Sequence, residues 1–204
     1  MNVFLLSLIV SVSLALSAGS GWETLQFDGV QENQVRFTGS QITVSVNDSA
    51  SPIIYPFSNT RTVTEILVSG SVSGELKAGT WDDSLLRVGV IETGTRKLTP
   101  LERISAPDWV KQLSSRMSGG VERIHCFLLM PEKERIGEIR TNPDMKLFRE
   151  TITSAPNADG SFTMQIELSH PVESPGLWIL SDGDDTSSQF TISINQIELK
   201  SSKR

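Results

Sequence analysis

Gly176-Leu-Trp-Ile-Leu-Ser-Asp-Gly-Asp-Asp-Thr-Ser-Ser-Gln-Phe-Thr-Ile-Ser-Ile-Asn-Gln-Ile-Glu-Leu199 places two apolar runs around a loop with three carboxylates, Asp182, Asp184 and Asp185. Runs of this kind, bounded by Asp-Gly turn chemistry, predict two strands joined at a sheet end. The second run, Phe190 to Leu199, changes phase near Gln196. That phase change predicts a β-bulge or burial on both faces.

Working outward, strand signals dominate. Ile42, Val44 and Val46 alternate with polar neighbours, as do Phe162, Met164, Ile166 and Leu168; this is the period of a half-buried strand. Val63 to Leu76, Leu85 to Ile91 and Ile124 to Met130 read as further strands. Gly70 and Gly74 mark a bulge, a bend or the close approach of another segment. Turn residues separate the runs at Asp28-Gly29, Asn47-Asp48-Ser49, Asn157 to Gly160 and Glu173 to Gly176.

One segment reads as a helix. Pro107 and Asp108 suit its first turn; Trp109, Val110, Leu113 and Met117 then recur at helical spacing, and Gly119-Gly120 stops it. Its expected place is over an open end of the sheets. Met130 to Ala155 is an excursion with mixed charge and one strand around Lys146 to Thr153. Alternating βαβ units are absent, which excludes a parallel α/β sheet. The expected class is all-β: a two-sheet jelly-roll-type β-sandwich of nine or ten short strands with one short helix.

Val3 to Leu16 is apolar or small throughout, and small residues follow at Ser17 to Gly21. This is the pattern of a secretory signal peptide, shorter than the ~20 residues of a membrane span. The expected organisation is a signal peptide over 1–18 and a single β-sandwich domain over 19–204, periplasmic or secreted, with no membrane insertion after cleavage. The chain has 204 residues and a formal net charge of −6, with 18 basic residues dispersed along it. Without a basic stripe, nucleic acid is excluded as a partner. The sole cysteine, Cys126, lies in an apolar run and reads as a buried thiol. Exported chains without disulfides fit a bacterial periplasm or exterior.

The carboxylates are the candidate chemistry. Asp182, Asp184 and Asp185 are either turn and ion-pair residues or ligands of a structural calcium, which takes six to eight oxygens. A second pair, Asp82 and Asp83, enters the strand that carries Arg87. A charged residue in mid-strand seeks a carboxylate, so Arg87 is expected to pair with Asp182, Asp184 or Asp185 across the sandwich. Sugar-binding faces combine aromatic platforms with polar side chains. Trp22, Tyr55, Trp81, Trp109 and Trp178 are the candidates, and Trp81, beside Asp82 and Asp83 after Gly79-Thr80, is the best placed for ligand contact; Trp178 reads as core. Catalysis has little support: His125 and His170 lack partners at metal spacing, no Gly-x-Ser-x-Gly elbow is present, and Asp184 and Asp185, adjacent in one loop, are poorly placed to oppose each other across a glycosidic bond.

The pattern Asp82-Asp83-x-x-x-Arg87-Val-x-Val with Ser181-Asp182-Gly-Asp184-Asp185-Thr186-x-Ser188 resembles a family of exported bacterial proteins of unknown function. Its members carry a similar Asp-Asp…Arg strand and a late Asp-x-Asp-Asn-Thr loop. This chain departs from them with Asp185 in place of Asn, Gly183 in place of Thr, and Pro52 to Phe57 in place of an aromatic-rich strand. The resemblance implies a jelly-roll-like fold and no reaction. The strand-loop-strand ending is similar to that of galactose-binding-like carbohydrate modules. The expected function is therefore that of a non-catalytic, glycan-binding module. The alternative is a structural or protein-interaction module of the cell envelope, with an envelope protein as its partner.

Overall fold

Two strands belong to both layers of the molecule, and they decide its architecture. The computed structural model describes residues 9–77, 82–94, 104–118, 120–140 and 147–202; Trp81 lies outside them. In chain order the elements are β1 (Ile9–Ser13), β2 (Glu23–Thr24), β3 (Gln34–Phe37), β4 (Ile42–Asn47), β5 (Ala50–Glu75), β6 (Ser84–Gly94), α1 (Asp108–Arg116), β7 (Gly120–Leu129), β8 (Ile139–Arg140), β9 (Phe148–Ser154), β10 (Ser161–Asp182) and β11 (Gln189–Ser202). All strand pairs among the described residues are antiparallel except β7 with β9.

β5 has 26 residues and β10 has 22, far beyond the usual strand length of about five or six. They pair along most of their length, with register breaks between Glu167 and Val172 and between Ser174 and Gly176. On one side of the breaks they join β11, β4 and β3; on the other they join β2, β6, β7, β9 and β8. One hydrogen-bonded path thus folds over into the two layers of a β-sandwich, with strands that change layer at bulged corners. The expected class stands, with eleven strands among the described residues, two of them far longer than the turn residues suggested. Glu173-Ser174-Pro175-Gly176 is no turn; it is a bulge within β10. Pro171 and Pro175 both fall at register breaks, where the ladder asks no N–H of them.

The first layer buries Ile42, Val44 and Val46 of β4, Ile66 and Val68 of β5, Phe162, Met164 and Ile166 of β10, and Phe190, Ile192 and Ile194 of β11. The phase change near Gln196 is a bulge between Ile194 and Gln196, after which Ile197 and Leu199 are buried. Gly70 stands opposite, where a Cβ would lie 2.0 Å from the Ser193 carbonyl oxygen, so only glycine lets β11 come this close.

In the second layer, β6 and the end of β10 are buried on both faces. Ser84 to Ile91 of β6 are buried without interruption, as are Ser174 to Gly183 around the end of β10. Leu86, Val88, Val90, Leu177 and Ile179 share one face with the common core. Arg87, Gly89, Trp178 and Leu180 take the opposite face. That outer face is covered by α1 and by the segment Trp22 to Asn33: Trp178 packs on Phe27, Trp109 and Phe148 at ring separations of 6.4, 5.5 and 5.5 Å. A Cβ on Gly89 would meet the Trp178 Cβ at 2.9 Å, so glycine seats the indole. The helix therefore lies on a sheet face and not over an open end. Trp109, Leu113 and Met117 are its buried stripe.

β1 pairs with β11, and Leu14 and Leu16 just after it are buried. The structure thus packs residues from within the segment that reads as a leader. In the excursion the described residues give β8 and β9, the second overlapping the strand expected around Lys146 to Thr153.

Candidate functional site

The acidic loop and the Asp82–Arg87 strand meet. Asp182 ends β10 and stands opposite Ser84 at the start of β6, so the two motifs are neighbours within one layer and do not face each other across the sandwich. Arg87 Nη1 lies 2.7 Å from Asp182 Oδ2, Nη2 lies 3.0 Å from Asp82 Oδ1, and Nε lies 3.0 Å from Glu150 Oε1. Nη2 also donates to the Asp82 carbonyl. Arg140 Nε approaches the other Glu150 oxygen at 3.5 Å. Arg87, Arg140, Glu150 and Asp182 are all buried. Burial works against the Arg87 charge, but Asp182, Glu150 and Asp82 outweigh it and keep the guanidinium protonated. Burial pushes the Asp182 carboxyl well above the ordinary range; Arg87 pulls it back, and Asp184 pushes it further.

Asp83 is also buried, and its task is local. It accepts hydrogen bonds from the Thr186 N–H at 3.0 Å, the Asp185 N–H at 3.3 Å and the Thr186 hydroxyl. These bonds pin the loop to the entrance of β6. Lys77 N–H donates to Ser188 Oγ at 2.9 Å and Gly183 N–H donates to the Ser49 carbonyl at 3.3 Å, closing the loop from the other side. Asp184 and Asp185 project from it as the half-buried and exposed members. Partial burial and then the neighbouring Asp184, Asp83 and Asp82 raise the Asp185 carboxyl above its usual range.

Asp83, Asp182 and Asp184 each place one ligand oxygen within 4.8 Å of the others, so this cluster can hold a metal ion. The donor set is thin for calcium. Asp83 gives both oxygens to the loop and Asp182 gives one to Arg87, which leaves far fewer than six open oxygens.

Beside this junction is an open groove of about 330 Å³, at the lower end of the range for small-molecule sites. Its floor is Arg87, Leu180 and Glu150. Phe27, Asp28 and Val30 form one wall, Trp109 and Phe148 another, and Asp82, Asp184 and Asp185 the rim. Trp109 and Phe148 are stacked, with centroids 5.9 Å apart and planes 19° from parallel. Phe27 meets the Trp109 ring edge-on at 5.7 Å. The Phe27 wall is held by a buried polar node: Asn33 Nδ2 donates to the Ser181 carbonyl at 2.7 Å, and Ser49 Oγ donates to Asn33 Oδ1 at 2.7 Å.

Of the residues singled out in the sequence, the structure gathers Asp82, Arg87, Asp184 and Asp185 at the groove, with Asp83 and Asp182 immediately behind. Trp178 is fully buried core. Trp22 and Tyr55 pack on each other at 4.8 Å and do not line the groove. Phe27, Phe148 and Glu150 were missed. Phe148, Glu150 and Ile152 share one face of a strand whose mixed charges hid its period, and Phe27 lies just before a turn. Burial, and then the Glu150 carboxylate, push the Cys126 thiol far up, so it is no nucleophile. His125 and His170, distant in sequence, come to 6.2 Å at a separate cleft, where His125 Nε2 is held by Glu92 at 2.8 Å.

No protein-family model matches the chain, and no curated protein matches it. Among solved structures it is similar to a xylan-binding module, CBM15, at 9% identity over 96% of this chain and 97% of that one, with a TM-score of 0.40. It is similar to the low-affinity xylan-binding module CBM86 from Roseburia intestinalis at 8% identity over 97% of both chains, with a TM-score of 0.37. It is also similar to Xylanase10C from Cellvibrio japonicus in complex with xylopentaose at 10% identity, over 95% of this chain and 29% of that one, with a TM-score of 0.39. Likenesses this distant do not decide the ligand of this chain; the groove has to be read from its own residues.

Proposed function

We propose that the chain is an exported, non-catalytic protein that binds a saccharide in the groove between α1 and the acidic loop. The observation that carries this reading is a groove in which the half-buried rings of Phe27 and Phe148 stand beside a rim of carboxylates. A sugar ring has one face of C–H groups that packs on aromatic surface and hydroxyls that donate to carboxylates, the combination that such a groove supplies. Binding without catalysis is supported by the fate of the acids. Glu150 has ion pairs on both oxygens, and Asp184 and Asp185 leave the same loop side by side. Hydrolysis needs two carboxyl groups on opposite sides of a bond.

A polysaccharide array followed by affinity electrophoresis tests the reading. Binding to at least one glycan is expected, and Phe148→Leu lowers that affinity about three- to ten-fold while keeping the fold. A chain that binds no glycan ends the proposal, and glycosidase assays that release product end its non-catalytic part. The leader over 1–18 is tested by sequencing the mature N-terminus, expected between residues 15 and 20. A structural calcium ion is tested by melting the protein after chelation, with and without added calcium; a rise reveals a tightly bound ion.

The alternative, an envelope interaction module, draws on one observation. Ile136 and Ile139 are exposed apolar residues beside the short strand β8, where a protein partner could cover them. Pull-down from an envelope fraction that fails with Ile139→Lys supports that reading.

A further inference from the structure

We propose that the edge of β11 from Ile197 to Ser202 is a docking site for an extended strand of another polypeptide, open once the leader has been removed. This inference rests on the reading of residues 1–18 as a cleaved leader and is independent of the groove. In the structure the leader itself fills the edge. β1 runs antiparallel to β11, from Val10 opposite Ser201 to Ser13 opposite Glu198, and the Leu14 N–H donates to the Ile197 carbonyl at 2.9 Å. Val10 and Val12 are half-buried and Leu14 and Leu16 are buried, while Ser11, Ser13 and Ala15 between them are exposed. A period of two belongs to a strand with one covered face. Cleavage after this segment, at the small residues that follow it, takes the whole of β1 away.

What remains is a strand edge above a buried face. Ile197 and Leu199 belong to the core, and β5 still pairs with β11 along its other side, as far as Lys200. Edges of this kind recruit strands unless they are short, charged or covered. The two ends of the sheet path are blunted by length, β3 having four residues and β8 two. The edge that the five-residue β1 covers runs from Glu198 to Ser202. Its charges are occupied, with Lys200 Nζ 2.7 Å from Glu65 Oε1 and Glu198 Oε1 accepting from Gln196 Nε2 at 2.8 Å. The departing strand shows what fits. Apolar side chains at alternate positions enter the places of Val12, Leu14 and Leu16. Small hydroxyl residues between them reach the Glu198 carboxylate, as Ser13 and Ser11 do at 3.3 and 3.5 Å. A carbonyl in the place of that of Ala15 meets the Trp22 indole N–H, which donates to it at 2.9 Å. Main-chain bonds supply affinity in such a docking mode, and the alternate side-chain places supply specificity. The occupant is therefore an extended segment, apolar at every second position and small and polar between.

The test takes the protein as the producing cell exports it, sequences its N-terminus, and titrates it with a fluorescent peptide of residues 9–16 that carries a lysine tail for solubility. The processed protein should bind this peptide and melt about 3–6 °C higher at about ten times the peptide's Kd. The same peptide with Leu14→Asp and Leu16→Asp should bind at least about ten-fold more weakly. The unprocessed full chain should bind neither peptide, because its own β1 holds the edge. Leu14→Asp with Leu16→Asp in that full chain should free the edge and let the unaltered peptide bind. If processed protein with the expected N-terminus ignores the peptide, the docking proposal falls and the leader reading stands. If the mature N-terminus precedes Ile9, the leader reading falls and the open edge falls with it. If the processed protein sediments as a dimer that the peptide dissociates, a second copy fills the edge, and the proposal of a different polypeptide is overturned.

Discussion

Asp182 and Asp185 are three residues apart in one loop, yet they work under opposite conditions. Asp182 is buried and bound to Arg87 at 2.7 Å; Asp185 is exposed at the rim of a groove. Around Asp182, Arg87 and Arg140 supply counter-charge to Asp182, Glu150 and Asp82. Around Asp185 the described charges are acids, and no described cation faces them but one already engaged. A buried charge must be paired because desolvation costs several kcal/mol per ion. An exposed one is screened by water and can wait for a ligand. The same residue type therefore serves the fold at one end of the loop and is available for recognition at the other.

The comparison breaks most readily at its buried pole. Arg87→Met removes the cation from beneath three carboxylates and should cost about 3–5 kcal/mol, the loss typical of an uncompensated buried charge. Thermal or urea unfolding measures it, and a loss under about 1 kcal/mol would show that Asp182 and Glu150 do not depend on Arg87. Glu150→Gln is the next largest. It keeps the shape but takes the charge from between Arg87 and Arg140, at a cost of about 1.5–3 kcal/mol in the same measurement. At the other pole, Asp185→Asn should change stability by less than about 0.5 kcal/mol, as surface substitutions do. If it destabilised the protein as Glu150→Gln does, the rim would be part of the structural cluster and the division drawn here would be wrong.

The sequence carried the strands of the first layer clearly. Ile42 to Val46 and Phe162 to Ile166 alternate in period two because one face meets the core and the other meets water. The bulge at Gln196 was legible for the same reason: a phase slip in burial has to appear as a phase slip in hydrophobicity. β6 and the end of β10 were harder, since a strand covered on both faces has no period to read. Ser174 to Gly176 looked like a turn because Pro175 and Gly176 usually make one, and nothing local shows that β5 runs alongside to make the strand continuous.

The site divides in the same way. By itself the sequence determined that two acidic motifs and one mid-strand arginine would need each other, because a charge in an apolar run has no cheaper solution. It also determined that α1 would bury the stripe of Trp109 and Leu113, through spacing alone. Only the tertiary structure decided that Asp182 and not Asp184 or Asp185 reaches Arg87, and that Glu150 joins them from β9. Likewise, it alone brought Trp109 and Phe148 together as one wall. Strand order and layer changes set those distances, and they arise from pairings between residues as far apart as Arg87 and Asp182, which no local pattern encodes.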